Sequence, residues 1–324
     1  MHHFGDADVA ELLDPVELLE ATAEAFADLG AGRAASTVRV RARTDDAMAS
    51  AMAAAVPSLG VTGGKVYATV DGRFTFHVVL FDLDGHLLCT MEGSALTEAR
   101  TPALSGVVID RYARRGSSVA AVLGTGREAV PHLRMLDQVL DLDEVRVWGR
   151  SADSLDSVVA RAVRAGIPAV RAATPGAAVA GADVVVTVTS ADEPIVAADA
   201  FADHALVCAV GATKPQRCET DPHLFARAQT VITDSLAGAP SECGDLIHAV
   251  EAGTLTWDRV IDVADLLAGS IEVSRADPAG PIVFETQGVA LQDVVAAALV
   301  WRSSASMHAL DGHHSAPTIP RRNP

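Results

Sequence analysis

From residue 119 to residue 233 the chain alternates short apolar runs with helical stretches, and this alternation restricts the fold more tightly than any other feature of the sequence. The runs are Val119-Ala120-Ala121-Val122-Leu123, Val145-Arg146-Val147-Trp148, Ala169-Val170, Val184-Val185-Val186-Thr187, Leu206-Val207-Cys208-Ala209 and Val231-Ile232-Thr233. Near-continuous β-branched runs mark strands buried on both faces, and the helices between them supply the crossovers that parallel strands need. A doubly wound parallel sheet is expected. Directly after the first run stands Gly124-Thr125-Gly126-Arg127-Glu128-Ala129, followed by a helical pattern. Glycines pair up by chance in a chain with 25 of them, so the motif draws its weight from the strand before it and the helix after it. In that setting Gly124 permits a tight turn and Gly126 lets the backbone approach a pyrophosphate. Ala129 allows close packing of helix on strand, while the helix N-terminus faces the anion. The expectation is a Rossmann-type dinucleotide-binding domain.

The next strand bears on which dinucleotide. A carboxylate at its end would accept a hydrogen bond from a ribose 2′-hydroxyl and repel a 2′-phosphate. This strand ends Trp148-Gly149-Arg150-Ser151, with Asp153 nearby. The Arg150 guanidinium and Ser151 hydroxyl suit a phosphate, which predicts NADP(H) in preference to NAD(H).

The part before residue 117 reads differently. Residues 7–29 carry apolar positions at helical spacing, closed by Gly30-Ala31-Gly32. Residues 38–43, 64–70, 75–82 and 86–89 read as strands, and residues 97–113 as a helix. This predicts an α+β domain, with a boundary at Arg114-Arg115-Gly116-Ser117-Ser118. An apolar helical segment over residues 289–301 follows the last α/β unit and is expected to return to the first domain. The expected domains are therefore 1–116 with 289–324, and 117–288. The tail beyond Ser303, with His308, His313 and His314 on a Pro-rich background, reads as a disordered terminus.

Charge excludes one class of partner. A net charge of −17 repels phosphate backbones, and no basic stripe offsets it, so nucleic acid is not an expected partner. No stretch approaches the roughly 20 apolar residues of a membrane span, and the start of the chain lacks a signal-peptide pattern, which together predict a cytoplasmic protein. Four cysteines without a CxxC pair suggest neither a disulfide framework nor a metal site. Of 25 basic residues only two, Lys65 and Lys214, are lysines. A lysine that persists in such a chain draws attention, because its ammonium is a point donor with a tunable pKa.

Several segments in order resemble the ornithine cyclodeaminase and mu-crystallin family. They are Gly64-Lys65-Val66, Leu80-Phe81-Asp82, the run from Met91 to Thr101, the Gly124 motif, Val147-Trp148-Gly149-Arg150-Ser151, Ala209-Val210-Gly211-Ala212, Ser241-Glu242-Cys243-Gly244-Asp245-Leu246 and Gly288-Val289-Ala290-Leu291-Gln292-Asp293. The resemblance implies a homodimer with a substrate and dimerisation domain and a Rossmann domain. It also implies hydride exchange between nicotinamide and a carbon bearing nitrogen and a carboxylate. Lys65 and Arg100 match the family's carboxylate-binding lysine and arginine, and Arg39, with Arg41 close behind, matches a third basic group. Thr101, Thr125, Arg127, Glu128, Thr187 and Val210 join Gly124, Gly126, Arg150 and Ser151 as the expected cofactor residues.

Two departures shape the expected reaction. Where the family's cyclodeaminases and alanine dehydrogenases carry an aspartate, two residues after the glycine of Val210-Gly211-Ala212, this chain has Thr213. A hydroxyl cannot act as a base near neutral pH. Second, the segment Val70-Asp71-Gly72-Arg73-Phe74-Thr75-Phe76-His77 is shorter than the family's loop, and Phe76 and His77 are expected to line the substrate pocket. The acidic residue that some relatives place ahead of the lysine is missing as well, with Met48, Ser50 and Met52 in that neighbourhood. The expected activity is NADPH-dependent reduction of a small cyclic or acyclic imino acid, with Lys65, Arg100 and Thr213 as catalytic groups. The alternatives are an NAD-dependent cyclodeaminase or alanine-dehydrogenase-like enzyme, and a non-catalytic dinucleotide- or ligand-binding protein.

Overall fold

The computed structural model describes residues 2–273 and 280–310, in two compact units: Met1–Thr101 with Val289–Pro324, and Pro102–Gly288. The division falls inside a helix, earlier than the Arg114–Ser118 stretch. The polar, glycine-containing stretch after that helix is a local stop, not the point where contacts change over.

The first unit opens with β1 (His2–Phe4), α1 (Asp6–Leu12) and α2 (Pro15–Gly30), then β2 (Ala35–Ser36), β3 (Val40–Arg43), β4 (Ala47–Val56), β5 (Val61–Val70), β6 (Arg73–Asp82) and β7 (Leu87–Glu92). Asp14 caps α2 by accepting from the Val16 and Glu17 amides, an arrangement worth about 1 kcal/mol. The sheet runs β1-β7-β6-β5-β4-β2, with β3 also on β4, and is antiparallel except for β1, which lies parallel to β7. Asp71 and Gly72, both at positive φ, form the two-residue turn between β5 and β6, so the segment around Phe74 is strand and not loop. Two strands escape the hydrophobic pattern. β4 is built of Ala and Met, residues of low strand propensity, and is held by ten register pairs to β5. β1 is anchored by the rings of His2 and Phe4, edge-on to Trp301.

After α3 (Ser94–Tyr112) the second unit alternates β8 (Val119–Leu123), α4 (Ala129–Val139), β9 (Glu144–Trp148), α5 (Ala152–Arg164), β10 (Ala169–Arg171), α6 (Pro175–Val179), β11 (Val184–Thr187) and β12 (Leu206–Ala209). It continues through α7 (Pro222–Arg227), β13 (Thr230–Thr233), α8 (Ala239–Glu242), α9 (Gly244–Glu251), β14 (Val260–Asp262), α10 (Val263–Leu267) and β15 (Ile282–Glu285). All eight strands are parallel, in the order β10-β9-β8-β11-β12-β15-β13-β14. This is the Rossmann-type doubly wound sheet, with its topological switch point between β8 and β11.

The last element, α11 (Ala290–Leu310), packs on α2, β4 and β5 in the first unit. From Ala290 to Trp301 every residue is buried, as expected of a helix apolar on all sides. It runs past Ser303 with Ser304 buried, so the expected disordered tail does not begin there. Residues 311–324, with His313 and His314, lie outside the described residues.

Gly124 shows how closely the switch point is built. Its φ is +124°, and a Cβ would stand 2.6 Å from the Val188 carbonyl oxygen. Gly124→Ala is expected to cost about 1–3 kcal/mol, read as a lower urea midpoint. Gly126→Ala, with nothing within 4 Å of a Cβ, should leave the midpoint unchanged. Equal midpoints for the two variants would refute this account of the turn.

Candidate active site

Alternation along β5 and β6 places Lys65, Tyr67, Phe74, Phe76 and Val78 on one face of the first unit's sheet, because the register pairs Lys65 with Val78, Tyr67 with Phe76 and Thr69 with Phe74. That face is buried at Lys65 and Val78. The Lys65 ammonium donates to Thr97 Oγ1 at 2.6 Å and to Asp293 Oδ1 at 2.9 Å. The Thr97 hydroxyl spends its own proton on the Gly93 carbonyl, so it can only accept from the lysine. Nζ also stands 4.5 Å from the centroid of the Phe76 ring. Arg100, one turn along α3 from Thr97, donates through Nη1 to Gln292 Oε1 at 3.0 Å and brings Nε to 3.4 Å from the same Asp293 oxygen. The Gln292 amide in turn donates to the Arg100 carbonyl. Arg39 lies with its guanidinium 6.0 Å from the centroid of Tyr67.

These groups form one electrostatic system. Burial pushes the Lys65 pKa down, Asp293 pulls it back up, and the charges of Arg100 and then Arg39 depress it again, leaving it at about 8. Of the residues expected at the substrate site, Arg39, Lys65, Arg100 and Phe76 lie near one another. His77 is a correction: it pairs with Val66 on the opposite, exposed face, because neighbouring strand residues point to opposite sides. Thr101 is buried on α3 and gives its hydroxyl proton to the Thr97 carbonyl. Gln292 and Asp293 were missed as functional groups, although they are the two polar residues in an otherwise apolar stretch from Ala290 to Trp301.

The second unit carries the other expected set. The Gly124 amide donates to the Trp148 carbonyl, and Thr125 packs so closely on Gly149 that a Cβ there would stand 2.5 Å from its methyl carbon. Gly126 and Arg127 are exposed, Arg127 Nε lies 3.9 Å from Glu128 Oε1, and the Glu128 side chain does not cap α4. An open backbone cradle at a helix N-terminus is what a pyrophosphate requires, so these residues fit a dinucleotide. Trp148, Gly149, Arg150, Arg171 and Ala172 line a cavity of about 400 Å³ at the end of β9. Arg150 is exposed there, while Ser151 caps α5 by accepting from the Ser154 amide. Thr187 is a second correction, since its buried hydroxyl donates to Glu219 Oε2 at 3.3 Å and is directed into the protein. Val210 is buried and half-buried Thr213 donates its amide to the Gly211 carbonyl.

Beneath this loop lies a cluster of carboxyls that composition could not reveal. Glu219 accepts from the Thr189 and Gly211 amides, and Asp245 from the amides of Glu219 and Thr220. The Cys243 thiol donates to Glu285. Burial first, and then the charge of Asp245, raises the Glu219 pKa to about 7 and holds Glu285 well above its ordinary 4.5. Burial likewise raises Asp245 to about 6.

Fold and site together define a two-unit protein with a Rossmann-type dinucleotide-binding fold and a cation-lined site built from β5, α3 and α11. The chain matches the model of the ornithine cyclodeaminase/mu-crystallin family over residues 5–307 and belongs to that family. It is 35% identical over 237 residues to the ketimine reductase mu-crystallin of Mus musculus, spanning 71% of this chain and 69% of that protein. The probable ornithine cyclodeaminase from Bordetella pertussis Tohama I superposes with a TM-score of 0.89 at 33% identity, covering 95% of this chain and 98% of that one. The iminosuccinate reductase of Paracoccus denitrificans, in complex with NAD+, does so with a TM-score of 0.86 at 26% identity, covering 95% and 97%.

The carboxyl cluster has a signature in stability. A carboxyl whose folded pKa is raised binds its proton more tightly when folded, so its contribution is complete below the unfolded value of 4.5 and is lost as pH rises toward the folded value. Glu285→Gln removes that loss. Its stability relative to the unsubstituted protein should be constant below about pH 4.5 and then improve by up to about 1.4 kcal/mol per pH unit. Urea unfolding at pH 4.5, 6 and 7.5 measures this, and a difference that does not change with pH would show that Glu285 is ionised in the folded state.

Proposed function

We propose that this protein is an NADPH-dependent reductase of small imino acids. The observation that carries this reading is the pairing of buried Lys65 and Arg100 with one carboxylate, Asp293, with half-buried Arg39 close enough to act on Lys65, in a chain of net charge −17. An acidic protein assembles buried cations at one point to hold an anion. Arg100 has Nη2 uncommitted among the described residues, and a guanidinium edge binds a substrate carboxylate with fixed orientation. Lys65 supplies the remaining positive charge and a transferable proton. The bound cofactor would supply a hydride to the carbon of the C=N bond. Two of the relatives above are named as reductases of a ketimine and of iminosuccinate.

The side chain at position 213 favours reduction over deamination. A substrate ammonium must lose its proton to a base before it can leave as an imine, and Thr213 cannot take one. Reduction needs a proton delivered, not removed, and the Lys65 ammonium would deliver it. The aromatic face of Tyr67, Phe74 and Phe76, with the two phenylalanine rings stacked at 5.6 Å between centroids, would enclose the apolar body of the substrate. For the dinucleotide, Gly124, Thr125, Gly126 and the start of α4 would hold the pyrophosphate. Arg150 would hold a 2′-phosphate, since the residues directly after β9, Gly149-Arg150-Ser151, include no carboxylate to favour a free ribose; Arg171, in the same cavity, is paired with Asp156.

The substrate unit is also the one we assign to a homodimer contact. The outer face of its sheet is apolar, small and exposed at Val40, Ala49, Ala53 and Val66, which the register of β3, β4 and β5 places on one side. Sedimentation equilibrium is expected to give twice the chain mass, and Val66→Glu to give a folded monomer. A wild-type protein that sediments as a monomer at micromolar concentration refutes the assignment. Four free, buried cysteines suit a reducing compartment, and we place the protein in the cytoplasm. Among the described residues no helix is long and apolar enough to cross a membrane.

The reaction is tested by following near-ultraviolet absorbance of NADPH and NADH with pyrroline-2-carboxylate, piperideine-2-carboxylate and imines formed from 2-oxo acids and amines. NADPH should be consumed faster than NADH, and Arg150→Glu should raise the KM for NADPH by about 10–100-fold with little effect on NADH. Tight NADPH binding without consumption on any of these imines would overturn the reductase reading.

A further inference from the structure

We propose that Asp293 is a positioning residue for this reaction: its carboxylate keeps the Lys65 ammonium charged and directed, so that Nζ can give a proton to the substrate nitrogen. The inference rests on the reductase reading, and it answers the question that Thr213 leaves open, namely where the nitrogen's proton comes from.

The geometry carries it. Lys65 and Asp293 side chains are 2% and 0% exposed, and an ion pair so deeply buried is maintained only if its charges satisfy each other. Of the three N–H bonds of Lys65, Thr97 and Asp293 take two among the described residues, and Phe76 borders the ammonium at 4.5 Å. One N–H is left for a ligand. Asp293 Oδ2, in contrast, meets no hydrogen-bond partner among the described residues. The charged groups that act on Lys65 are Asp293 from α11, Arg100 from α3 and Arg39 from the chain between β2 and β3. Tyr67, two residues along the same strand, faces the same side of the sheet and lies under Arg39. Both arginines disfavour a charged lysine, as does burial, and Asp293 is the one group that favours it. Without Asp293 the lysine would sit as a neutral amine near neutral pH, with no acidic proton to give. Its position in the first turn of α11 places the carboxylate where helix N-termini favour negative charge.

The proton transfer balances simply. A bound reduced nicotinamide would supply the hydride for the new C–H bond; the π pair of C=N then moves to nitrogen, which takes a proton from Lys65 Nζ. The ammonium becomes an amine and is recharged from solvent, and the nicotinamide is the group oxidised.

The chain's lysine content makes a direct test practical. Only Lys65 and Lys214 are present, so protein grown on 13Cε-lysine gives two resonances, with exposed Lys214 as the internal reference. In the wild-type protein Lys65 should titrate near pH 8, and in Asp293→Asn at least one unit lower. The basic limb of kcat/KM should shift with it, so that activity falls about fivefold or more at pH 8 and recovers to within a few-fold at pH 6. Asp293→Glu, which keeps the charge, should return the limb toward its original position. An unmoved Lys65 titration in Asp293→Asn, or a loss of activity equal at every pH, overturns the proposal. Should Asp293→Asn fail to fold, the wild-type titration still decides, since a Lys65 that titrates above 10 has no need of the arrangement described. Failure of the function is read separately: a Lys65 shift that depends on Asp293 in a protein that reduces no imine would leave the pair intact and remove the reaction.

Discussion

The ion pair between Lys65 on β5 and Asp293 on α11 is the interaction on which the first unit depends. The two residues are separated by 228 positions, yet their charged atoms lie 2.9 Å apart with almost no exposure. Moving either charge from water costs several kcal/mol, and removing one partner strands the other, at a cost of roughly 3–5 kcal/mol. A unit built this way cannot be completed until the C-terminal helix returns to the sheet with which the chain began. Gln292 reinforces the requirement, since its amide both accepts from the Arg100 guanidinium and donates to the Arg100 carbonyl. The helix is therefore more than an apolar cover for β4 and β5. It brings the polar groups without which the buried cations of the site would be unsatisfied.

How far this was legible in the sequence depends on the range of each interaction. The Rossmann unit could be read because its information is local: a β-branched run, a glycine turn and a helix lie within about twenty residues. β4 could not, because Ala47–Val56 acquires its strand character from pairing with β5 on one side and β3 on the other. Lys65 stood out through its rarity among the cations, and its neighbours on the same face followed from alternation. The same alternation argues against His77 as a pocket residue. The role of Asp293 was hidden because no local pattern joins positions so far apart. What the sequence did show was two polar residues in a stretch that burial on all sides would otherwise make apolar, and a buried polar group implies a partner.

Arginine and lysine divide the work of the site according to their chemistry. A guanidinium remains charged at any accessible pH, so Arg39 and Arg100 can hold an anion but cannot exchange a proton. An ammonium can be tuned. Buried, drawn back up by Asp293 and pushed down by the charges of Arg100 and Arg39, Lys65 is brought from 10.5 down to about 8, which on the proposed reading lets it lose and regain a proton. The preponderance of arginine elsewhere in the chain makes this allocation visible, because Lys65 sits where an arginine would preserve the charge and abolish the exchange.

The same physics acts with opposite sign in the second unit. There, Glu219, Asp245 and Glu285 are buried together without a cation among their perturbing neighbours, and burial raises all three. Amides from Thr189 and Gly211 donate to Glu219 and those of Glu219 and Thr220 to Asp245, while Asp245 Oδ2 and Glu285 Oε1 meet no hydrogen-bond partner among the described residues. The loop that carries Gly211 and Thr213 is thus tied down by Glu219, which accepts from the Thr189 and Gly211 amides. Raised pKa values lower the negative charge this cluster carries as pH falls below about 7. In the first unit a carboxylate stands beside a lysine and draws its pKa up; in the second, carboxyls stand beside one another and draw each other's up. Burial supplies the pressure in both, and the difference lies in whether a cation stands within reach.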